Sequence, residues 1–194
     1  MDLISRRNPP LNRVGSHDGD SELHLSEAGV MLAVADWLFS LGAVEVRVHP
    51  DGLHMKHFDM PAWLDAQGFE RVSTTGKRGI SGTFERNGQR LTIHSQPGLG
   101  DVVTTIDGVD IEIEAKGGCI NTRHPGQLSK LRKGLHEAVG QLMSSPRKDC
   151  RLIAAVPRHS ETERLAERLN ARCALASIEI VLVDRDGNVG LITG

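Results

Sequence analysis

Residues 100–116 read GDVVTTIDGVDIEIEAK, and this stretch decides the fold. Two runs rich in β-branched residues, Val102 to Ile106 and Val109 to Lys116, flank Asp107-Gly108. Asp-Gly tolerates the positive φ that a two-residue hairpin turn requires, so the segment predicts an antiparallel pair. With that loop length Ile106 faces Val109, Thr104 faces Ile111 and Val102 faces Ile113. These residues share one face, which is apolar enough to cover a core. The other face carries Val103 opposite Glu112, Thr105 opposite Asp110 and Asp101 opposite Glu114, with Lys116 two residues beyond Glu114.

Asp101 and Glu114 should then have Cβ atoms about 5 Å apart. Two carboxylates so close repel, so either one holds a proton or a cation sits between them. Oxygen ligands favour a hard divalent ion, Mg²⁺ or Mn²⁺. Lys116 adds a positive charge that can stabilise developing negative charge or help activate a water. Two acids, one metal and one lysine suit phosphodiester hydrolysis. Glu-x-Lys alone is a weak signal, since roughly one chance match is expected in a chain of this length. The stronger constraint is that Asp101 falls opposite the same glutamate. A merely solvated face more often pairs a carboxylate with a cation, as Glu85 opposite Arg90 does in the hairpin around Asn87-Gly88.

Outward from this hairpin, the chain alternates helices and strands. Val30, Met31, Val34, Leu38 and Leu41 recur at helical spacing between a Ser26 cap and a Gly42 stop. Val44 to Val48 reads as a short strand, and Asp59-Met60-Pro61 opens a short helix that Gly68 ends. Gly82 to Arg86 and Gln89 to Ser95 form the earlier hairpin. Beyond the decisive stretch, Leu128, Leu131, Leu135, Val139 and Leu142 mark a long amphipathic helix. Arg151 to Val156 is a nearly all-apolar strand of the kind buried on both faces. A helix from a Ser160 cap to Asn170 and strands Ile178 to Val183 and Val189 to Ile192 complete the pattern. The expected class is α/β, a mixed sheet with helices packed on it. Residues 1–20, rich in Arg, Asn, Pro, Gly and Asp, read as a disordered tail before a single domain at 21–194.

Gly100-Asp101-Val102-Val103 followed by Ile113-Glu114-Ala115-Lys116 resembles the PD-(D/E)xK motif of restriction-endonuclease-like nucleases. That superfamily's core, a helix, a three-stranded antiparallel meander, a helix and a strand, is similar to the pattern from about Ser26 to Val156. The resemblance implies that Asp101, Glu114 and the backbone carbonyl of Ala115 bind Mg²⁺ (or Mn²⁺), with Lys116 as the catalytic lysine. It further implies a glutamate on the first helix, for which Glu27 is a better match than Glu22. A glutamine on the helix after the motif is also expected, with Gln141 preferred over Gln127. Pro97 stands four residues before Asp101 rather than beside it, a departure at a variable position of the motif. The implied activity is a metal-dependent endonuclease acting on DNA, or else a binding or assembly subunit that keeps the nuclease fold. RNA is a third substrate class. Double-strand cutting by one small domain calls for a homodimer or two successive nicks.

Composition narrows the partners. The 194 residues carry 23 Lys+Arg against 25 Asp+Glu, so the chain is not a uniformly basic nucleic-acid binder. A local excess does occur between Gly117 and Arg151, where seven Lys/Arg face two acids, Glu137 and Asp149. Lys130, Arg132 and Lys133 lie opposite the leucine face of the long helix, as candidate phosphate contacts. His49, His54 and His57 form an H-x4-H-x2-H cluster, but no cysteine lies nearby to complete a zinc site, and exposed loop histidines are the simpler reading. Trp37 and Trp63 read as core residues, and 3% aromatic content gives little support for base stacking. No apolar run reaches membrane-spanning length. Three cysteines without a CxxC pair argue against a disulfide framework, and a cytoplasmic location is expected.

Overall fold

The computed structural model describes residues 3–7, 21–50, 58–74, 80–94, 98, 100–147 and 149–192. Strands β1 (Ile4–Arg7) and β2 (Glu22–Leu25) lead into helix α1 (Glu27–Ser40). Strand β3 (Glu45–Val48), helix α2 (Met60–Ala66) and strand β4 (Glu70–Thr74) follow. Two hairpins come next, β5 (Gly82–Arg86) with β6 (Gln89–Ile93) and β7 (Val102–Ile106) with β8 (Val109–Ala115). The remainder is β9 (Gly118–Cys119), α3 (Pro125–Met143), β10 (Arg151–Pro157), α4 (Ser160–Leu175), β11 (Ile178–Val183) and β12 (Val189–Leu191). Nine strands form one mixed sheet in the order β12-β11-β10-β8-β7-β3-β6-β5-β4, and β1-β2-β9 make a small second sheet. No helix among the described residues is long and apolar enough to cross a membrane.

Local chemistry accounts for the elements. Both hairpin turns have two residues in the left-handed region, Asn87 and Gly88 in one, Asp107 and Gly108 in the other. That geometry matches the twist of the flanking strands. Ser26 accepts the Gly29 amide at 3.0 Å and caps α1, and Gly42 ends it at φ 103°. α1 is apolar on nearly every side and is correspondingly buried. One side packs on the sheet through Val102, Ile113, Ile153 and Val181, while Met60, Trp63 and Leu64 of α2 share the same core. The opposite face of the sheet is covered by α3 and α4, whose Leu135, Leu142 and Leu165 pack on Ala154, Val156 and Ile180. β10 is thus covered on both faces and paired on both edges, parallel to β8 and to β11.

Four expectations are corrected. Ile4–Arg7, placed within a disordered tail, forms a strand antiparallel to β2, with Ile4 opposite Leu25; residues 8–20 lie outside the described set. Secondly, the two hairpins are not neighbours: β3 sits between them, parallel to β6 and antiparallel to β7. Val46 and Val48 of β3 are fully buried, which requires a partner on each edge to satisfy the backbone. Thirdly, the cap of α4 is His159, whose ring accepts the Glu161 amide at 3.0 Å while Thr162 reaches back to the His159 amide. That helix also continues past Asn170 to Leu175, held by buried Cys173. Finally, β4 and β9 have no counterpart in the sequence reading. Every residue of β4 is exposed, so it carries no alternation, and β9 is only two residues long.

Ile113 is fully buried at the centre of this core, whereas Val109 on the same strand is half exposed. Urea unfolding should therefore show Ile113→Ala losing about 2–5 kcal/mol, and Val109→Ala changing stability by no more than about 0.5 kcal/mol. Equal losses at the two positions would contradict this placement of the core along β8.

Candidate active site

The β7–β8 ladder runs from Ile106↔Val109 to Val102↔Ile113, so the pairing derived from the turn is the one observed. At its open end the chain bends at Gly100, where φ is +81°. A Cβ at this position would stand 2.7 Å from Glu112 Cγ, so only glycine lets the chain pass. The bend brings Asp101 onto the end of β8. Its amide donates to the Ile113 carbonyl at 2.9 Å, and its Oδ2 accepts the Ala115 amide at 2.8 Å. The Asp101 carbonyl in turn accepts the His49 amide at 2.8 Å, fixing the bend to the end of β3.

Lys116 extends the parallel ladder, its amide donating to the Ala155 carbonyl at 3.0 Å. Its Nζ lies 3.4 Å from Glu27 Oε1, 3.8 Å from Asp101 Oδ2 and 4.0 Å from Glu114 Oε2. All four side chains are less than one-fifth exposed. Two glycines permit this convergence. A Cβ on Gly117 would stand 2.5 Å from the Glu27 amide nitrogen, so the chain after Lys116 lies directly against the start of α1. A Cβ on Gly134 would come within 3.2 Å of Lys116 Cβ, so α3 also approaches closely.

Three carboxylates around one ammonium leave a surplus of negative charge in a partly buried place. Burial, and then the neighbouring Asp101 carboxylate, push the Glu114 carboxyl up to about 8, against the pull of Lys116. For Lys116 burial disfavours the charge, but attraction from Glu27, Asp101 and Glu114 outweighs it and its pKa rises. At neutral pH the metal-free cluster therefore keeps a proton on Glu114 and the full charge on Lys116. A divalent cation between Asp101 and Glu114 would replace that proton, and oxygen-only donors suit Mg²⁺ or Mn²⁺. Glu112, on the same face as Glu114, is almost fully buried and accepts a hydrogen bond from Ser145 Oγ at 2.9 Å, with Arg147 Nε 3.8 Å away.

Of the other sequence candidates only Ala115 lies at this strand end. Gln141 is exposed near the far end of α3, seven residues, or about 10 Å of helix rise, beyond Gly134. Gln127, the less favoured glutamine, is buried near the start of α3 and donates to Glu22 Oε1 at 3.3 Å. Ala115 is buried at the end of β8 with its amide tied to Asp101. Lys130 is exposed, Arg132 pairs with Glu161 at 2.7 Å, and Lys133 pairs with Glu137 at 3.4 Å. His49 stacks on His94 with ring centroids 5.1 Å apart, while His54 and His57 lie outside the described residues. Sequence reasoning missed the grouping of Glu22, His24 and Cys119, whose donor atoms lie within 4.8 Å of one another. The pairing of His24 with Cys119 spans 95 residues of sequence and leaves no local signature.

A carboxyl that binds its proton more tightly when folded opposes folding once that proton is lost. Stability of the metal-free protein should fall as pH rises from the ordinary carboxyl value of 4.5 through about 8. Thermal melts between about pH 5 and pH 9 should show this decline in the parent and a flatter profile in Glu114→Gln; parallel profiles would place the proton elsewhere. No protein-family model, no curated protein and no solved structure matches this chain.

Proposed function

We propose that the protein is a metal-dependent nuclease that hydrolyses phosphodiester bonds, with DNA as its substrate. The observation that carries this reading is the convergence of Asp101, Glu114 and Glu27 on Lys116. Element order adds support. α1, the antiparallel strands β3, β7 and β8, then α3 and the parallel strand β10, follow the helix, meander, helix, strand order of the restriction-endonuclease-like nucleases. Here the insertion of α2 and β4–β6 separates the first two strands of that core. Three free cysteines are in keeping with a reducing, cytoplasmic compartment.

In this reading Asp101 and Glu114 would hold Mg²⁺ or Mn²⁺, with the Ala115 carbonyl at the same strand end. Such an ion, when bound, supplies water activation and neutralises phosphate charge. Lys116 offers its ammonium to the negative charge that develops on the phosphate. Glu27, at the first turn of α1, keeps Lys116 charged and holds it between the strand end and the helix start. Lys130 is open to solvent for a phosphate contact, while Arg132 and Lys133 would have to exchange an acidic partner for the backbone. The second reading is a non-catalytic DNA-binding or assembly subunit that keeps the fold, and the two ion pairs, which leave fewer cations for a phosphate backbone, are in keeping with its assembly form.

Purified protein should nick supercoiled DNA with Mg²⁺ or Mn²⁺ and stop with chelator. Lys116→Ala should lower the rate at least about 100-fold, the scale of losing a positioned charge in the transition state, while leaving the circular dichroism spectrum and cooperative melt intact. Cleavage by Lys116→Ala at the parental rate would overturn the nuclease reading. Calorimetric titration separates the two alternatives: a Mn²⁺ isotherm lost in Asp101→Asn supports the enzyme, and DNA binding without any Mn²⁺ heat supports the subunit.

A further inference from the structure

We propose that Glu22, His24 and Cys119 form a second metal site, selective for zinc, that clasps the small sheet beneath the Lys116 cluster. The register of that sheet generates the site. His24 and Cys119 are direct partners across the β2–β9 pair, and Glu22 lies two residues before His24, on the same face. One face of two short strands therefore presents a carboxylate, an imidazole and a thiol, with donor atoms all within 4.8 Å of one another. Donors on one tetrahedral zinc lie roughly 3.5 Å apart, so side-chain adjustments of about an ångström bring the three donors to zinc spacing and leave the fourth position of the tetrahedron to a water. Glu22 and Cys119 are almost wholly buried and His24 nearly so.

Neighbouring groups already aim these donors. Gln127 Nε2 donates to Glu22 Oε1 at 3.3 Å and leaves Oε2 facing His24 Nε2, 2.9 Å away. The Cys119 thiol donates to Asn121 Oδ1 at 3.4 Å, a bond that metal binding would release with its proton, while Asn121 Oδ1 keeps the Leu23 amide at 2.8 Å. Such surrounding hydrogen bonds fix ligand orientation in metal sites. A soft thiolate with an imidazole and one carboxylate matches zinc and disfavours the Mg²⁺ or Mn²⁺ expected between Asp101 and Glu114. On binding, the Cys119 thiol releases its proton to solvent, and the metal takes the place of the hydrogen bond between His24 and Glu22.

The location gives the site a purpose. Leu25 of β2 is two residues before Glu27, and Gly118 of β9 is two residues after Lys116. Zinc at this point would fasten together the two chain segments that bring Glu27 and Lys116 into contact.

The test uses the untagged full chain, with Zn²⁺ and Co²⁺ as probes and spectroscopy as the readout, so it stands apart from cleavage. About one zinc per chain should survive dialysis. Co²⁺ should give an intense thiolate charge-transfer band that is lost in Cys119→Ser, and zinc should raise the melting midpoint of the parent but not of Cys119→Ser. Should Cys119→Ser fold poorly, His24→Asn must also lose the zinc while keeping the parental circular dichroism spectrum. Asp101→Asn should retain zinc fully even where it loses Mn²⁺, so failure of the nuclease reading leaves this result distinguishable. Absence of zinc and of the cobalt band, or zinc retained in both variants, overturns the proposal.

Discussion

Two acidic side chains at one hairpin end, with a single ammonium between them and a third carboxylate, impose the constraint on which the structure turns. A two-residue turn at Asp107-Gly108 sets the register, and the bend at Gly100 then brings Asp101 to the end of β8 beside Glu114. Charges of one sign tolerate such closeness only with a counter-ion or a proton. Lys116 supplies part of the compensation, and a proton on Glu114 supplies the rest. That balance is metastable in a useful sense, because the proton occupies the place a divalent cation would take.

The rest of the fold holds this end of the sheet still. β10, covered by helices on both faces, fixes β8 from one side, and β3 fixes β7 from the other. α1 enters from a third direction, its first turn packed against Gly117 so tightly that a side chain there would collide with backbone. Gly134 lets α3 approach Lys116 closely, since an added Cβ would stand 3.2 Å from Lys116 Cβ. Small residues at the contacts and large ones in the core are thus parts of one device: the core makes the approach rigid, and the glycines make it close.

Much of this was legible in the sequence because it is local. Turn chemistry at Asn87-Gly88 and Asp107-Gly108 fixed both hairpins, and apolar periodicity found α1, α3 and β10. Asp101, Glu114 and Lys116 could be named for the same reason, all three from one hairpin, whereas Glu27 could be named only through the resemblance to the nuclease motif. The insertion of β3 between the hairpins could not be read, since strand neighbours far apart in sequence leave no periodic trace. Nor could the burial of Gln127 against Glu22, or the exposure of Gln141, be read. Both lie on α3, and what separates them is the direction in which β2 and β9 approach. The Glu22, His24 and Cys119 cluster stayed hidden because its members meet only through that second sheet.

The most direct measurement is proton release during Mn²⁺ binding, obtained by calorimetry at pH 7 in two buffers of different ionisation enthalpy. If a cation replaces the proton on Glu114, about one proton should leave per ion bound, and Glu114→Gln should abolish the release. Mn²⁺ binding with no difference between the buffers, or no binding at all, would contradict the central claim.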